Sequence, residues 1–279
     1  MLDRKIKVRE IKDLGGGNHL LTMNSPEQAR LVQPGQFMML KCAAGLNDNP
    51  LLRRPFSVFD VDRTPGAGRA RGLVLLVKEV GAGSRMLAAL EPGEEVNVLG
   101  PQGRPFEIVP ATQGRVSAAC LVAGGVGIAA MYLLAQRLQQ LGVVPVLFYG
   151  GRTAADLVLR EYFERLGLEA HYTTEDASFG EAGLVTYPLE RFLRSRIRSG
   201  VRVYACGPWA MMKATHDLAV KLGVLCEVSL EARMGCSLGA CMGCVIRAFG
   251  DDGKEQFIRV CLEGPIMDSR RVDWDTPPI

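Results

Sequence analysis

Short apolar or alternating segments, each of strand length, fill the first hundred positions of the chain. Pro34, Pro65 and Pro92, each followed by glycine, lie between some of these segments. Regular strand-length segments separated by turn formers are typical of a small antiparallel barrel. The predicted strands lie within residues 5–14, 19–23, 36–43, 55–61, 72–80 and 94–100. Residues 63–72, rich in glycine and arginine, are predicted to form an exposed hairpin loop.

From about residue 115 the pattern changes to alternating strands and helices, which is typical of an open parallel sheet. The predicted strands are residues 118–124, 143–150, 168–173 and 201–207. Helical patterns begin near Gly127, Asp156, Thr186 and Pro208. Residues 116–135 carry no charge and are long enough to span a membrane. Because glycines interrupt this stretch, we interpret it as a buried strand, a turn and a helix.

The length of 279 residues favours two domains and a small appendage. We expect a β-barrel domain over residues 1–105, an α/β domain over residues 106–225 and a cysteine-rich subdomain over residues 226–279. A net charge of +3, without basic runs interleaved with aromatic residues, argues against nucleic-acid binding. The charged first ten residues predict no signal peptide, and we expect a cytoplasmic protein without a membrane segment.

Three closely spaced cysteines near the C-terminal end point to bound iron. Cys236, Cys241 and Cys244 form a C-x4-C-x2-C motif, and Cys261 follows after sixteen residues. This is the spacing of plant-type [2Fe-2S] proteins, in which a tight loop supplies three thiolates and a distant residue the fourth. The alternatives are a structural zinc site, which usually uses two C-x2-C pairs, and buried free thiols. Cys42, Cys120 and Cys226 are expected to be small core residues.

A glycine-rich turn suggests a dinucleotide site. Gly125, Gly127 and Ala130 satisfy G-x-G-x-x-A after a predicted strand, a pattern that lets a diphosphate approach backbone amides. The acidic ribose ligand expected about twenty residues later is missing from the next strand. The residues predicted to contact the nucleotide are Gly124, Gly125, Gly127, Cys206 and Gly207.

The segment Arg54-Pro55-Phe56-Ser57, followed by the glycine turn and by Cys-Gly-Pro at residues 206–208, resembles the ferredoxin–NADP reductase family. In that family the R-x-[YF]-[ST] motif binds flavin. The resemblance places Arg54 on the flavin diphosphate, Phe56 along the ring or ribitol and Ser57 near flavin N5. It also implies a flavin-binding barrel followed by a parallel-sheet nucleotide domain.

Residues 173–186 and 229–245, together with the domain order, are similar to the electron-transfer subunits of class 1B dihydroorotate dehydrogenases. The resemblance spans nearly the whole chain. It implies FAD, one [2Fe-2S] cluster, NAD, a role in pyrimidine biosynthesis and a heterotetramer with two FMN-bearing catalytic subunits. The residues that it assigns to FAD are Arg54, Pro55, Phe56, Ser57, Leu76, Val77, Lys78, Gly83 and Ser84.

Some features depart from this family or leave alternatives open. Ala177 stands where the family usually has glycine, and Met131-Tyr132 follow the glycine turn. The choice between NAD and NADP stays open, because Arg152 is a possible 2′-phosphate ligand. An NAD(P)H-dependent ferredoxin or hydrogenase reductase subunit is the second hypothesis, and a zinc-stapled interaction module is the third. No residue set for removing a proton from dihydroorotate is visible.

Overall fold

A closed antiparallel barrel forms the first part of the chain. In the computed structural model, residues 1–42, 49–110, 112, 116–196 and 200–278 are described. The barrel strands, in the spatial order β1-β2-β5-β4-β3-β6, are β1 (Leu2–Gly15), β2 (Asn18–Met23), β3 (Phe37–Lys41), β4 (Arg54–Arg63), β5 (Ala70–Lys78) and β6 (Glu95–Gln102). Two short helices, α1 (Pro26–Leu31) and α2 (Ala82–Ala88), lie between them. The predicted barrel, including the hairpin loop between β4 and β5, is confirmed.

The middle of strand β4 places buried side chains on both of its faces, which ties the barrel to the rest of the chain. Val58 points into the barrel core, whereas Phe59 belongs to the apolar cluster beneath the second domain. The ring of Phe59 stacks on Tyr132, with centroids 4.6 Å apart. Aromatic stacking of this kind stabilises a contact beyond its buried area. The barrel and the second domain therefore share a continuous apolar interface.

The second domain is built on a seven-stranded sheet. Its strands are β7 (Ala118–Gly124), β8 (Val144–Gly151), β9 (Glu169–Thr174), β10 (Glu181–Ala182), β11 (Val201–Cys206), β12 (Leu225–Ser229) and β15 (Ile266–Asp268). Their order in the sheet is β10-β9-β8-β7-β11-β12-β15. The helices are α3 (Tyr132–Gln140), α4 (Arg160–Arg165), α5 (Thr186–Arg196) and α6 (Trp209–Leu222). All neighbouring strands pair in parallel except β15, which is antiparallel to β12.

The uncharged stretch at residues 116–135 is a central strand, a turn and the start of a helix, as predicted. Every residue of β7 is buried, because elements cover both faces of the sheet. A 3-10 helix over Gly125–Ala130 comes next, and α3 begins only at Tyr132. The helix expected from Gly127 thus starts as a 3-10 turn, which is common at helix N-termini. Among the described residues, no helix is long and apolar enough to cross a membrane.

The cysteine-rich segment is joined to the nucleotide sheet at both of its ends. It contains a hairpin of β13 (Val245–Phe249) and β14 (Glu255–Arg259), and then returns to the sheet as β15. The boundary that we expected between residues 225 and 226 falls within β12. Next to β15, the Gly264 carbonyl accepts from the Arg104 N–H at 2.6 Å, and the Pro265 carbonyl accepts from the Leu230 N–H at 2.9 Å. All three parts of the chain meet at this point.

Replacing Asp60 by asparagine should stabilise the protein near neutral pH. Burial raises the pKa of Asp60 to about 6, although the Val61 N–H donates to its carboxylate. Because this pKa lies above its unfolded value, the folded state binds more protons between about pH 4 and pH 6, and stability falls as the pH rises through that window. Asp60→Asn should raise the free energy of unfolding at pH 7 by up to about 3 kcal/mol and have little effect at pH 4.

Urea denaturation of the protein at both pH values measures this difference. Asp251→Asn is a matched control, since the side chain of Asp251 is 97% exposed. Equal effects of Asp60→Asn at pH 4 and pH 7 would contradict the assignment of the raised pKa.

Candidate functional site

Two adjoining clefts lie where the carboxyl ends of the parallel strands face the barrel. The larger, of about 750 Å³, is lined mainly by residues that follow β7, β8, β9 and β11. The smaller, of about 510 Å³, lies between the barrel strands β4 and β5 and residues 229–234. Lys78, Val126, Glu231 and Pro278 line both clefts. Molecules bound in the two clefts would therefore meet at this shared wall.

The glycine turn after β7 packs directly against the end of β11. A Cβ atom on Gly127 would lie 2.2 Å from the Cys206 carbonyl oxygen, so only glycine fits there. Gly125 has a φ of +51°, and a Cβ on it would meet nothing within 4 Å. The turn therefore presents bare backbone to open space in the larger cleft, which is the surface that a diphosphate needs.

The predicted nucleotide residues come together across the two clefts. Gly124, Gly125, Gly127 and Gly207 line the larger cleft, and Cys206 lines the smaller. A Cβ on Gly207 would lie 2.9 Å from the Gly124 backbone nitrogen, so the two turns are in close contact. Burial raises the pKa of Cys206 to about 12, which keeps its thiol protonated at neutral pH.

The smaller cleft lies where two barrel strands separate. The ladder between β4 and β5 ends at the pair Val58–Leu75, and residues 54–57 of β4 pair only with β3. Pro55, Phe56 and Ser57 from β4 line the cleft together with Leu76 and Lys78 from β5. On this side, no strand in the described part of the chain pairs with the backbone of residues 76–78, so these backbone groups are available to a bound planar ligand.

Four of the residues assigned to FAD do not line the smaller cleft, namely Arg54, Val77, Gly83 and Ser84. The Arg54 guanidinium donates to the carbonyl oxygens of Leu52 and Arg53 at 2.8 and 3.2 Å. The side chain of Val77 points into the barrel core, so only its backbone faces outward.

Gly83 and Ser84 lie in the first turn of α2. The Ser84 hydroxyl accepts from the Val80 and Gly81 N–H groups and stabilises the helix start. A Cβ on Gly83 would lie 3.0 Å from the Cys42 sulfur, which explains the small residue there by packing.

Glu231 is a candidate site residue that the sequence did not reveal. It follows β12 and borders both clefts beside Cys206, whose pKa its charge helps to raise. The Glu231 side chain is accessible from the clefts, yet the protein around it desolvates the carboxylate and raises its pKa. A single acidic residue after a strand carries no sequence motif, so only the folded arrangement identifies it.

The four cysteines of the spacing motif are brought together by the β13–β14 hairpin. Cys244 immediately precedes β13, and Cys261 follows β14 by two residues. Because Val245 pairs with Arg259, and the Val260 N–H donates to the Cys244 carbonyl at 3.1 Å, the ends of the hairpin hold these two cysteines side by side. Both are buried, whereas Cys236 is half-buried and Cys241 is exposed.

Cys236 and Cys241 form a second pair within the loop. The Cys236 sulfur accepts from the Leu238 and Cys241 N–H groups at 3.3 Å, and the Cys241 sulfur accepts from those of Cys236 and Gly243 at 3.5 Å. The amides of Leu238 and Cys241 lower the pKa of Cys236 to about 6. Burial and the neighbouring Cys244 raise the pKa of Cys261 to about 12.

This arrangement fits a cluster with two irons. The four sulfurs form two pairs, Cys236 with Cys241 and Cys244 with Cys261. A [2Fe-2S] cluster takes two thiolates on each iron. Amide donors around exposed sulfurs are a recognised way to stabilise such clusters and tune their potential. The residues present therefore fit the group that their spacing predicts.

Comparisons with known families match the two C-terminal parts of the chain. The iron-sulfur cluster binding domain of dihydroorotate dehydrogenase B matches residues 231–273. The oxidoreductase NAD-binding domain matches residues 121–217. These ranges contain the cysteine motif and the glycine turn, respectively.

Curated relatives match over nearly the full length. The dihydroorotate dehydrogenase B (NAD(+)) electron transfer subunit of Desulforamulus reducens is 34% identical, over 96% of this chain and 97% of its own length. The corresponding protein of Bacillus caldolyticus is 37% identical, over 88% of this chain and 89% of its own length.

Solved structures show the same architecture. A chain of the NADH-dependent reduced ferredoxin-NADP oxidoreductase aligns with a TM-score of 0.78 and 27% identity, covering 97% of this chain and 90% of that one. The cytochrome b5 reductase domain of Ulva prolifera nitrate reductase shares the fold, with a TM-score of 0.63 and 22% identity over 80% of this chain and 93% of that one.

These findings confirm the ferredoxin-reductase-like architecture expected from the sequence. They also support FAD, a [2Fe-2S] cluster and NAD as the cofactors of this oxidoreductase component. The chain belongs to the family of dihydroorotate dehydrogenase B (NAD(+)) electron transfer subunits.

Proposed function

We propose that this chain carries electrons from an FMN-bearing, dihydroorotate-oxidising subunit, through its [2Fe-2S] cluster and FAD, to NAD⁺ in pyrimidine biosynthesis. The observation that carries the proposal is the course of residues 229–236. Residues 229–234 form one wall of the smaller cleft, and the cluster loop begins directly afterwards at Gly235 and Cys236. Residues 229–236 thus border the smaller cleft and supply a cluster ligand. This keeps the distance for electron transfer between the two sites short.

We assign the smaller cleft to the flavin ring and the larger to the dinucleotide. Ser57 from the barrel and Cys206 from the sheet then both line the ring site, and Glu231 lies where the two clefts join. A bound flavin exchanges electrons singly or in pairs, which couples a hydride carrier to a one-electron cluster. The protein's task is to hold the two ligands in contact at the shared wall and to exclude water there.

The cluster ligands in this proposal are Cys236, Cys241, Cys244 and Cys261. The flavin residues are those of β4 and β5 that line the smaller cleft, with Arg54, Gly83 and Ser84 contacting the diphosphate end. The nucleotide residues are Gly124, Gly125, Gly127 and Gly207, with Cys206 near the nicotinamide. The residues that line each cleft and the two sulfur pairs support this division, and the family resemblance supports the inclusion of Arg54, Gly83 and Ser84.

We further propose that the catalytic subunit docks on the exposed side of the cluster, in a 2+2 heterotetramer. The side chains of Leu238, Met242, Leu262 and Leu52 are all about half exposed. Leu52 borders Gly235, and Leu262 packs close to Gly239, so these side chains surround the loop that carries Cys241. An exposed apolar patch around a redox centre is the kind of surface that a partner covers.

A ferredoxin or hydrogenase reductase role is the second candidate. It is supported by the 27% identity with a chain of the NADH-dependent reduced ferredoxin-NADP oxidoreductase over nearly the whole length. The higher identity to the dihydroorotate dehydrogenase B subunits favours the first candidate. We place the protein in the cytoplasm, where thiols stay reduced, in keeping with its eight cysteines, all described and none in a disulfide.

Alanine in place of Cys236, Cys241, Cys244 or Cys261 should abolish the EPR signal of the reduced cluster, because each variant removes one of four required thiolates. The measurement is EPR of the dithionite-reduced protein, together with its iron content. Cys42→Ala is the control and should keep both. A normal signal in any of the four variants would remove that residue from the ligand set.

Asparagine at Gly125 should raise the KM for NADH by about tenfold or more, since it places a side chain in the open space that the diphosphate would occupy. Asparagine tolerates the positive φ of this position, so the fold should persist. Gly167→Asn is the matched control, because Gly167 has a φ of +67° and open surroundings. Steady-state NADH:ferricyanide kinetics give the comparison, and equal KM values in both variants would place the nucleotide elsewhere.

Purified alone, the chain should oxidise NADH with ferricyanide and show no dihydroorotate:NAD⁺ activity. That activity should arise on anaerobic mixing with the FMN-bearing subunit.

Leu238→Glu combined with Met242→Glu should weaken the association with the FMN-bearing subunit by about tenfold or more, because charges replace apolar contacts. NADH:ferricyanide activity should be unchanged. Val220→Glu, on the exposed face of α6, is the matched control. Rapid reduction of a ferredoxin, without binding of the FMN-bearing subunit, would favour the second candidate.

A further inference from the structure

One end of the larger cleft carries an acidic side chain without a partner. Glu175 follows β9 and lines the cleft together with Thr173, Arg152 and Asp156. In the described part of the chain, the Glu175 carboxylate makes no ion pair or hydrogen bond. The Thr173 side chain is only 1% exposed, yet its hydroxyl oxygen has no hydrogen-bond partner. Buried hydroxyls are rarely left unpaired, so this one indicates a ligand.

The position of Glu175 and Thr173 determines which half of the dinucleotide they would contact. This step rests on the proposed function, in which the nicotinamide reaches the flavin beside Cys206, at the end of β11. The sheet order β9-β8-β7-β11 puts β8 and β9 on the other side of the glycine turn. With the diphosphate over that turn, the adenosine half extends away from the flavin across β8 and β9, to Glu175 and Thr173.

The other charged side chains that line this end of the cleft are Asp156 and Arg152. The Asp156 carboxylate accepts from the Arg152 and Thr153 N–H groups at 3.2 and 3.1 Å and caps the turn after β8. The Arg152 guanidinium lies 4.0 Å from Asp156, with its side chain 81% exposed. The local charge is therefore negative overall, and Glu175 is the free acceptor.

The backbone around Glu175 is held against the end of β8. The Glu175 N–H donates to the Gly151 carbonyl, and the Asp176 N–H donates to the Arg152 carbonyl, each at 3.2 Å. Ala177 adopts a φ of +60°, which completes the tight turn at some conformational cost for a residue other than glycine. Glu175 thus starts a loop that is fixed in place before any ligand binds.

We propose that Glu175 is the residue that selects NAD over NADP. Its carboxylate accepts hydrogen bonds from the adenosine ribose hydroxyls, and the Thr173 hydroxyl supplies a further polar contact from the floor of the cleft. A carboxylate favours a free 2′-hydroxyl and repels a 2′-phosphate, because like charges at close range disfavour binding. Arg152 does not offset this repulsion, because its side chain is 81% exposed to solvent, which screens its charge.

Calorimetric titration with ADP-ribose and with 2′-phospho-ADP-ribose tests the proposal without any redox step. The wild-type protein should bind ADP-ribose at least about a hundredfold more tightly than the phosphorylated probe. Glu175→Gln should weaken ADP-ribose binding several-fold, strengthen binding of the phosphorylated probe, and so reduce the preference by about tenfold or more. Glu164→Gln removes the same charge from α4, outside the cleft, and should leave both affinities unchanged.

The outcomes separate this inference from the proposed nucleotide site. If Gly125→Asn weakens ADP-ribose binding while Glu175→Gln leaves the preference unchanged, the inference fails and the nucleotide site stands. If neither variant alters ADP-ribose binding, both fail. A reduced preference in Glu175→Gln that is absent in Glu164→Gln supports the role of Glu175.

Discussion

The contact between Gly127 and the carbonyl of Cys206 is the constraint on which the rest of the site depends. Because a Cβ at residue 127 would lie 2.2 Å from that oxygen, the turn after β7 and the end of β11 approach at backbone distance. The turn that is held this close to β11 carries Val126, which lines both clefts. A side chain at residue 127 would push the two turns apart, and with them the sites that must exchange a hydride.

Residues 229–236 have two roles, since they line the smaller cleft and also supply one of the proposed cluster ligands. Their first part lines the cleft and includes Glu231, whose desolvated carboxylate has a raised pKa. Their last residue is Cys236, whose sulfur accepts two backbone N–H groups. Since strand β12 fixes where this segment starts, the sheet that positions the nucleotide also positions the cluster loop.

Much of this structure could be predicted from the sequence because its signals are local. The barrel strands follow from alternation and turn residues, and the cysteine loop follows from spacing that binuclear iron requires. Glu175, Thr173 and Glu231 could not be identified in that way. Each is a common residue at or after a strand end, and only the order of strands in the sheet brings it to a cleft. β15 was missed for a related reason, since three residues are too short for a periodic pattern.

The position of β15 determines how the cluster module, residues 230–265, is attached to the nucleotide sheet. Residues 230–265 leave the sheet from β12 and return to it at the neighbouring strand, so the module is an insertion between two adjacent strands and not a tail. A domain on a single tether can swing, whereas one fixed at both ends of its chain has little freedom to do so. The distance between the cluster loop and the flavin cleft is therefore set by the fold itself. Such a module could not be cut off or transplanted without opening the edge of the nucleotide sheet.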